Sequence, residues 1–339
     1  MAIIPLRSPR FEILTAPATS VSAKLELTID ATLRYTIIKD CTAGETVTFE
    51  IAELCRDYIT PDMYVNSIAL STLSTVAISR AISFWTAVNA GGSQVSTDTA
   101  TYDGFDGYTD YMDGANWEIP EGVDNAYLLT QSGTYAGHYE VFVPENTAGW
   151  IVGLDGSEEK LTVSFLAGDT TETNRSSVCY ITRVDCSKYT PTKVYFVNKF
   201  GAIQFLYFFT KEVEILNTNK ETYQRNTIDT STTTASYFRP KFSTFATYPH
   251  PITTFTKNGK KNYSLSSGYY PEWANAYFEQ LMLSEYVWIE RTLYDPPSPT
   301  PVAVQLKTST MSFKTHLNDK LIEYTMEFEE AFDTINNVR

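Results

Sequence analysis

The amino-acid sequence predicts a mainly β protein. An antiparallel β-sandwich-like N-terminal domain over residues 1–189 carries a long acidic insertion at about 89–125, and a second β-rich domain over 190–339 carries one helix at about 271–284. Three observations lead there. Aromatic residues make up 14 % of the 339 residues, with 23 Tyr and 19 Phe, while only 19 % are charged. Tyr, Phe, Thr and Val suit pleated, half-buried surfaces, so this bias favours sheets over helices. Short segments alternate apolar and polar residues with period two and are bounded by turn formers. Charge also steps along the chain: residues 1–189 hold 11 Lys and Arg against 25 Asp and Glu, whereas residues 190–339 hold 15 of each.

In the first half, KLELTID sets Leu25, Leu27 and Ile29 against Lys24, Glu26 and Thr28, and TVTFEI repeats the pattern with Val47, Phe49 and Ile51. Ile51, Leu54, Cys55 and Tyr58 fall at helical spacing, which predicts a short helix that Pro61 would end. Strands are expected at Tyr139–Val143, Lys160–Phe165 and Val178–Val184. The stretch from Asn89 to Asn125 is rich in Gly, Asp, Ser, Thr and Tyr and reads as a long loop, a class that is usually functional or interface-forming. DCSKYTPT, near Cys186–Thr192, has the composition of a linker.

In the second half, KVYFVNKFGAIQFLYFFT (193–210) raises the sharpest question, because it is apolar on both alternating faces. It reads as strands Val194–Val197 and Ala202–Phe209 around an NKFG turn, with Asn198 first, Gly201 fourth and Gly201 free to adopt positive φ. Phe205, Tyr207 and Phe209 then share one face. Either the chain covers that face itself or a neighbouring subunit does, since contiguous exposed apolar patches mark interaction sites.

PEWANAYFEQLMLS starts with Pro271, follows with Glu272 at the positive end of the helix dipole, and lines Trp273, Tyr277, Leu281 and Ser284 along one stripe, with Phe278 and Met282 beside it. YVWIE is a strand. DPPSPTP predicts an irregular loop, because prolines interrupt both regular structures. KLIEYTMEFEEAF alternates Ile322, Tyr324, Met326 and Phe328 with acids, which predicts a half-exposed strand and an edge protected by charge.

Chemistry-bearing motifs are sparse. The sequence contains no GxSxG, HExxH, GxxxxGK[ST] or GxGxxG, and His138, His250 and His316 have no motif nucleophile beside them. No catalytic, cofactor-binding or metal residues are therefore assigned, although carboxylate pairs for glycoside cleavage meet only in space. Cys41, Cys55, Cys179 and Cys186 form no CxxC pair and read as buried thiols. Asp103, Asp106, Asp110 and Asp113 do not fit the EF-hand frame. They suggest a solvated acidic loop, one docking on a basic neighbour, or a calcium site of another kind. Trp85, Tyr108, Tyr111, Trp117 and Trp150 could stack on sugars, or could fill cores and loop clusters.

The net charge is −14, and between Arg80 and Lys160 there are thirteen acids and no base. That field repels phosphate backbones, so direct nucleic-acid binding through this half is not expected; a basic protein surface or a cation suits it. No apolar run reaches the roughly 18–20 residues of a membrane span. Pro5 and Arg7 interrupt the apolar stretch a signal peptide would need, so the expectation is a protein of the cytoplasm or of a particle assembled there.

SPRFEI near the N-terminus, VYFVNKFGAIQFLYFF, SEYVWIE and the closing LNDKLIEYTMEFEEAFDTINNVR together resemble structural proteins of tailed bacteriophages, in particular tail, collar and baseplate components. The resemblance implies a non-enzymatic virion building block: a homo-oligomeric ring or adaptor subunit in the tail or collar, assembled in the host cytoplasm. Its partners would be copies of itself and other virion proteins. Phe205, Tyr207 and Phe209, with Asp103, Asp106, Asp110 and Asp113, are the candidate interface. A receptor- or carbohydrate-binding module using the 89–125 loop is the alternative, and a hydrolase the third reading.

Overall fold

A computed structural model describes residues 2–60, 75–118, 127–128, 139–144, 148–154, 160–166, 170–172, 178–184, 188–224, 250, 252–294, 297–313 and 321–335. The first sheet has strands β1 (Ala2–Pro5), β3 (Ser22–Ile29), β4 (Thr32–Asp40), β6 (Thr75–Ala87) and β7 (Gly91–Phe105) in the order β1-β7-β6-β3-β4, with β1 parallel to β7 and the other pairings antiparallel. The period-two pattern of KLELTI buries Leu25, Leu27 and Ile29 on one face. Across from them lie the pair β2 (Phe11–Thr15) and β5 (Thr46–Glu50) and the short helix α1 (Ala52–Arg56), which contribute Val47, Phe49, Ala52 and Cys55 to the same core. The Glu50 carboxylate accepts the backbone N–H of Ala52 at 2.9 Å, satisfying a donor at the start of α1 that has no partner within the helix.

Residues 91–105 correct the loop reading of the 89–125 stretch: they are a strand paired with β6 along nearly its whole length. Ser and Thr dominate its solvent-facing positions, so composition suggested a loop where only Val95, Ala100, Tyr102 and Phe105 needed to face apolar neighbours. The β6–β7 connection turns through Asn89 (φ 55°) and Ala90 (φ 58°), and the β3–β4 connection through Asp30 (φ 47°) and Ala31 (φ 60°). Consecutive positive φ values match the right-handed twist of hairpin strands.

Between the halves, β8 (Tyr127–Leu128), β10 (Ala148–Leu154) and β11 (Lys160–Leu166) form one small sheet, and β9 (Tyr139–Pro144), β12 (Thr170–Glu172) and β13 (Val178–Val184) another, as the alternation over 139–143, 160–165 and 178–184 predicts. Val143 is fully buried in the core of the second half, and Val141, Phe142 and Val184 pack against that core. The packing division and the charge step at 189 therefore fall at different places in the chain.

The second half is built on a seven-stranded sheet. Its strands are β14 (Thr192–Val197), β15 (Ile203–Phe208), β16 (Glu212–Gln224), β17 (Ile252–Ser266), β19 (Val287–Tyr294), β20 (Pro297–Leu306) and β22 (Thr325–Glu330), in the order β15-β14-β19-β20-β22-β17-β16. Short strands β18 (Tyr270–Pro271) and β21 (Leu321–Ile322) pair beside it. The expected helix is present as a 3₁₀ turn at Glu272–Ala274 running into α2 (Asn275–Leu283). Tyr277, Phe278 and Leu281 are its buried stripe, and the Phe278 ring meets Phe208 edge-on with centroids 6.5 Å apart. Phe196, Phe208, Phe278 and Phe328 are fully buried, each contributing roughly 1.5–3 kcal/mol of transfer free energy.

Two expectations fail here. Residues 297–301 are strand, not irregular loop: Pro297, Pro299 and Pro301 alternate opposite Tyr294, Thr292 and Glu290, while β22 pairs only Val304–Leu306. At two-residue spacing the missing donors all lie on one side of the strand, the side that β22 leaves open, so β19 loses no ladder bond. β22, expected at an edge, is held between β20 and β17. Glu327 and Glu329 lie on the more open face of an inner strand instead, while Glu330 is buried and accepts from the Tyr263 hydroxyl; Glu329 accepts from Lys307 at 2.5 Å, and that hydrogen bond lowers its carboxyl pKa.

Candidate interaction surfaces

The predicted aromatic interface lies inside the molecule. Phe205, Tyr207 and Phe209 are 6 %, 6 % and 5 % exposed, so the reading that a neighbouring subunit covers this face is corrected: the chain covers it itself. β9 and β10 lie against β15, Tyr207 stacks on Phe209 with centroids 6.0 Å apart, and Phe209 meets Tyr270 at 5.9 Å. Lys193, opposite Tyr207 on the neighbouring strand, lays its ammonium over the rings of Tyr195 (4.7 Å), Phe205 (4.7 Å) and Tyr207 (5.7 Å). Burial lowers the Lys193 pKa, and Glu290, which accepts the Tyr195 hydroxyl at 2.5 Å, opposes that shift.

The four aspartates do not form one cluster. Asp103 sits half-buried on β7, and Asp106 is buried at the end of that strand. Asp110 caps and Asp113 ends an exposed 3₁₀ turn, and both accept from Lys199, at 2.6 and 3.2 Å. The basic neighbour of this acidic loop is thus a lysine of the same chain. Burial works against the charge of Lys199, but the two carboxylates outweigh it and raise its pKa, while the Lys199 hydrogen bond lowers that of Asp113.

Lys199 belongs to the NKFG turn, and that turn joins the halves. Gly201 adopts φ 71° as expected; its N–H and those of Phe200 and Ala202 are taken up by Asn198, whose side-chain amide in turn donates to Gln204. The turn then docks on the segment that follows β7: the Tyr108 N–H donates to the Lys199 carbonyl at 2.9 Å, and the Lys199 N–H to Gln280 of α2 at 3.1 Å. Nearby, Glu285 accepts from Arg56 at 2.5 Å and lies 3.5 Å from Arg7. Beside this seam opens a pocket lined by Glu53, Asp57, Asp106 and Glu285 with Arg56. Asp106 is 3 % exposed, and its Oδ2 has no hydrogen-bond partner among the described residues. Burial raises its pKa, Arg7 and Arg56 pull it down, and Glu285 pushes it up.

One exposed apolar feature was not singled out by sequence. β16 and β17 run as a two-stranded ribbon from Glu212↔Leu265 to Gln224↔Ile252, with a register shift after Glu221, while β22 pairs only Asn262–Ser266. The part beyond β22 extends for about 30 Å at 3.3–3.4 Å per residue. β16 forms the sheet edge, and Val213, Ile215, Leu216, Tyr223, Ile252 and Phe255 are exposed along the ribbon, Phe255 by 62 % and Leu216 by 55 %. Lys220 and Lys257 stand directly opposite one another, and among the described residues neither has an ion-pair partner; Lys261 pairs with Glu214 at 2.7 Å. Thr and β-branched residues with interspersed lysines are a signal for such an edge, but they also fit a polar loop.

Of the surface aromatics, Trp85 donates its indole N–H to Ser83, Tyr108 lies under Arg7 with its pKa pushed up to about 12 by burial, and Trp117 packs on Phe200. Tyr111 is 98 % exposed. The side chain of Trp150, together with His138 and His316, lies outside the described residues, and His250 is exposed. Cys41 and Cys55 are buried thiols, Cys55 with its pKa raised to about 12 by burial; the side chains of Cys179 and Cys186 lie outside the described residues. Among the described residues no three His, Cys, Asp or Glu group as metal ligands, and no helix is long and apolar enough to cross a membrane. Compared with family models, curated proteins and solved structures, the chain matches none.

Proposed function

We propose that this chain is a non-enzymatic structural subunit that assembles with copies of itself and with companion proteins through the β16–β17 ribbon. In line with the sequence resemblance, the assembly is a ring or adaptor in the tail, collar or baseplate of a bacteriophage virion. The observation that carries the reading is the ribbon itself: a long strand that is an edge among the described residues, with exposed apolar side chains along it, is a template for another chain unless something covers it. The carbohydrate-binding alternative draws on the loop around Tyr108–Trp117, but Tyr108 and Trp117 are engaged within the chain, which leaves Tyr111 as its exposed aromatic side chain there.

Sedimentation of the purified full-length protein tests the assembly reading, with mass spectrometry of purified particles for the virion context. Concentration-dependent association and presence in the particle are expected. A strict monomer at high micromolar concentration, absent from particles, would contradict it.

A further inference from the structure

Among the described residues, the ribbon offers two ammonium groups with no ion-pair partner, and the seam offers a pocket where carboxylates outnumber cations. Lys220 and Lys257 face each other across the β16–β17 pair, an arrangement of like charges that is unfavourable unless an anion approaches. The pocket between the halves is lined by Glu53, Asp57, Asp106 and Glu285, with Arg56 as the one lining cation among the described residues. Arg56 is committed to Glu285. Arg7 also reaches Glu285, at 3.5 Å, and acts on Asp106 from outside the lining. Glu53 and Asp57 are exposed at the rim, and Asp106 lies at the base with a buried oxygen that accepts no hydrogen bond. Such an oxygen costs free energy unless a donor reaches it, and a lysine ammonium brings three donors on a flexible stem.

We propose that this pocket receives a ribbon lysine, Lys220 or Lys257, from a second copy of the chain, so that copies join head to tail. The inference rests on the assembly reading and specifies its contact. Donor and acceptor surfaces are different parts of the molecule, so the contact is heterologous: it closes into a ring where the rotation allows and otherwise propagates as a filament. Ion pairing at the rim with Glu53 and Asp57 orients the approach, and burial of ribbon residues such as Leu216 and Phe255 adds apolar area to it.

A charge exchange tests the pairing. One full-length variant carries K220E and K257E; the other carries E53K and D57K. Equal thermal unfolding of the variants and the parent checks that the fold is kept. Sedimentation of each variant alone should show association weakened at least roughly tenfold, since like charges now meet. The equimolar mixture should restore association, because each ribbon then finds an oppositely charged pocket. Association of either variant alone at the parent's affinity overturns the pairing while leaving assembly through the ribbon intact. Loss in both without restoration in the mixture overturns it as well. A parent that never associates removes both the pairing and the assembly reading.

Discussion

The strand pair β14–β15 and the ribbon β16–β17 follow each other in the chain and occupy opposite edges of one sheet, yet they meet opposite environments. The strand pair carries the most apolar stretch of the sequence and is buried on both faces by α2, the short strands β9 and β10, and its own aromatic neighbours. The ribbon is polar in composition, with Asn, Thr, Lys and Glu between scattered apolar residues, and projects Leu216, Ile252 and Phe255 into solvent. Apolar density marks the core because burial of each side chain is what stabilises the fold. On the proposed reading an assembly surface is marked by length instead: strands that outrun their neighbours expose apolar residues and an edge to which another molecule can add, although Thr334 and Ile335 of the chain itself meet the ribbon at Gly259 and Asn258.

The sharpest way to break that contrast is truncation on each side of it. Phe208→Ala, at a fully buried site between Phe278 and Phe328, should lower unfolding free energy by about 3–5 kcal/mol in urea titrations. Leu216→Ser with Phe255→Ser should leave it within about 0.5 kcal/mol at each site while weakening association. If the ribbon pair unfolds the protein, or leaves association untouched, the contrast is wrong.

Next in size is the turn that ties the halves together. Gly201→Ala puts a side chain at φ 71° and a Cβ 2.7 Å from the Phe105 ring and 3.1 Å from the Asp106 backbone, so a loss of about 1–3 kcal/mol is expected from the same titrations.

Much of this was legible because it is local. The NKFG turn, the helix at 271–284 and the alternation of Leu25, Leu27 and Ile29 follow from turn chemistry, capping and period, which act within a few residues. What was not legible depends on partners distant in the chain. Whether Phe205 and Tyr207 face a subunit or the chain's own β9 and β10 is decided by strands some sixty residues earlier. Pro299 and Pro301 are admitted to a strand because β22 stops at Val304. Asp110 and Asp113 find Lys199, which the sequence places in the other half.

The seam also sets a pH dependence. Burial holds the Asp106 pKa above its ordinary value of 3.8. A carboxyl raised in the folded state contributes stability that is present below its unfolded pKa and lost as pH rises through the folded one. Asp106→Asn should therefore raise the denaturant midpoint at pH 7, with the gain shrinking toward pH 4; a gain independent of pH would show that another group carries the effect. The smallest change expected is at the hairpin tip: Ala90→Gly relieves a left-handed alanine (φ 58°), and thermal melting should show a gain of about 0.5–1 kcal/mol.

Amide hydrogen exchange on residues 212–224, measured in the dissociated and the associated protein, tests the ribbon's role most directly. The β16 edge should become protected on association, while residues 192–208, mostly buried in the core, should exchange slowly in both states. Equal exchange of 212–224 in both states, with protection appearing elsewhere, would contradict assembly through the ribbon.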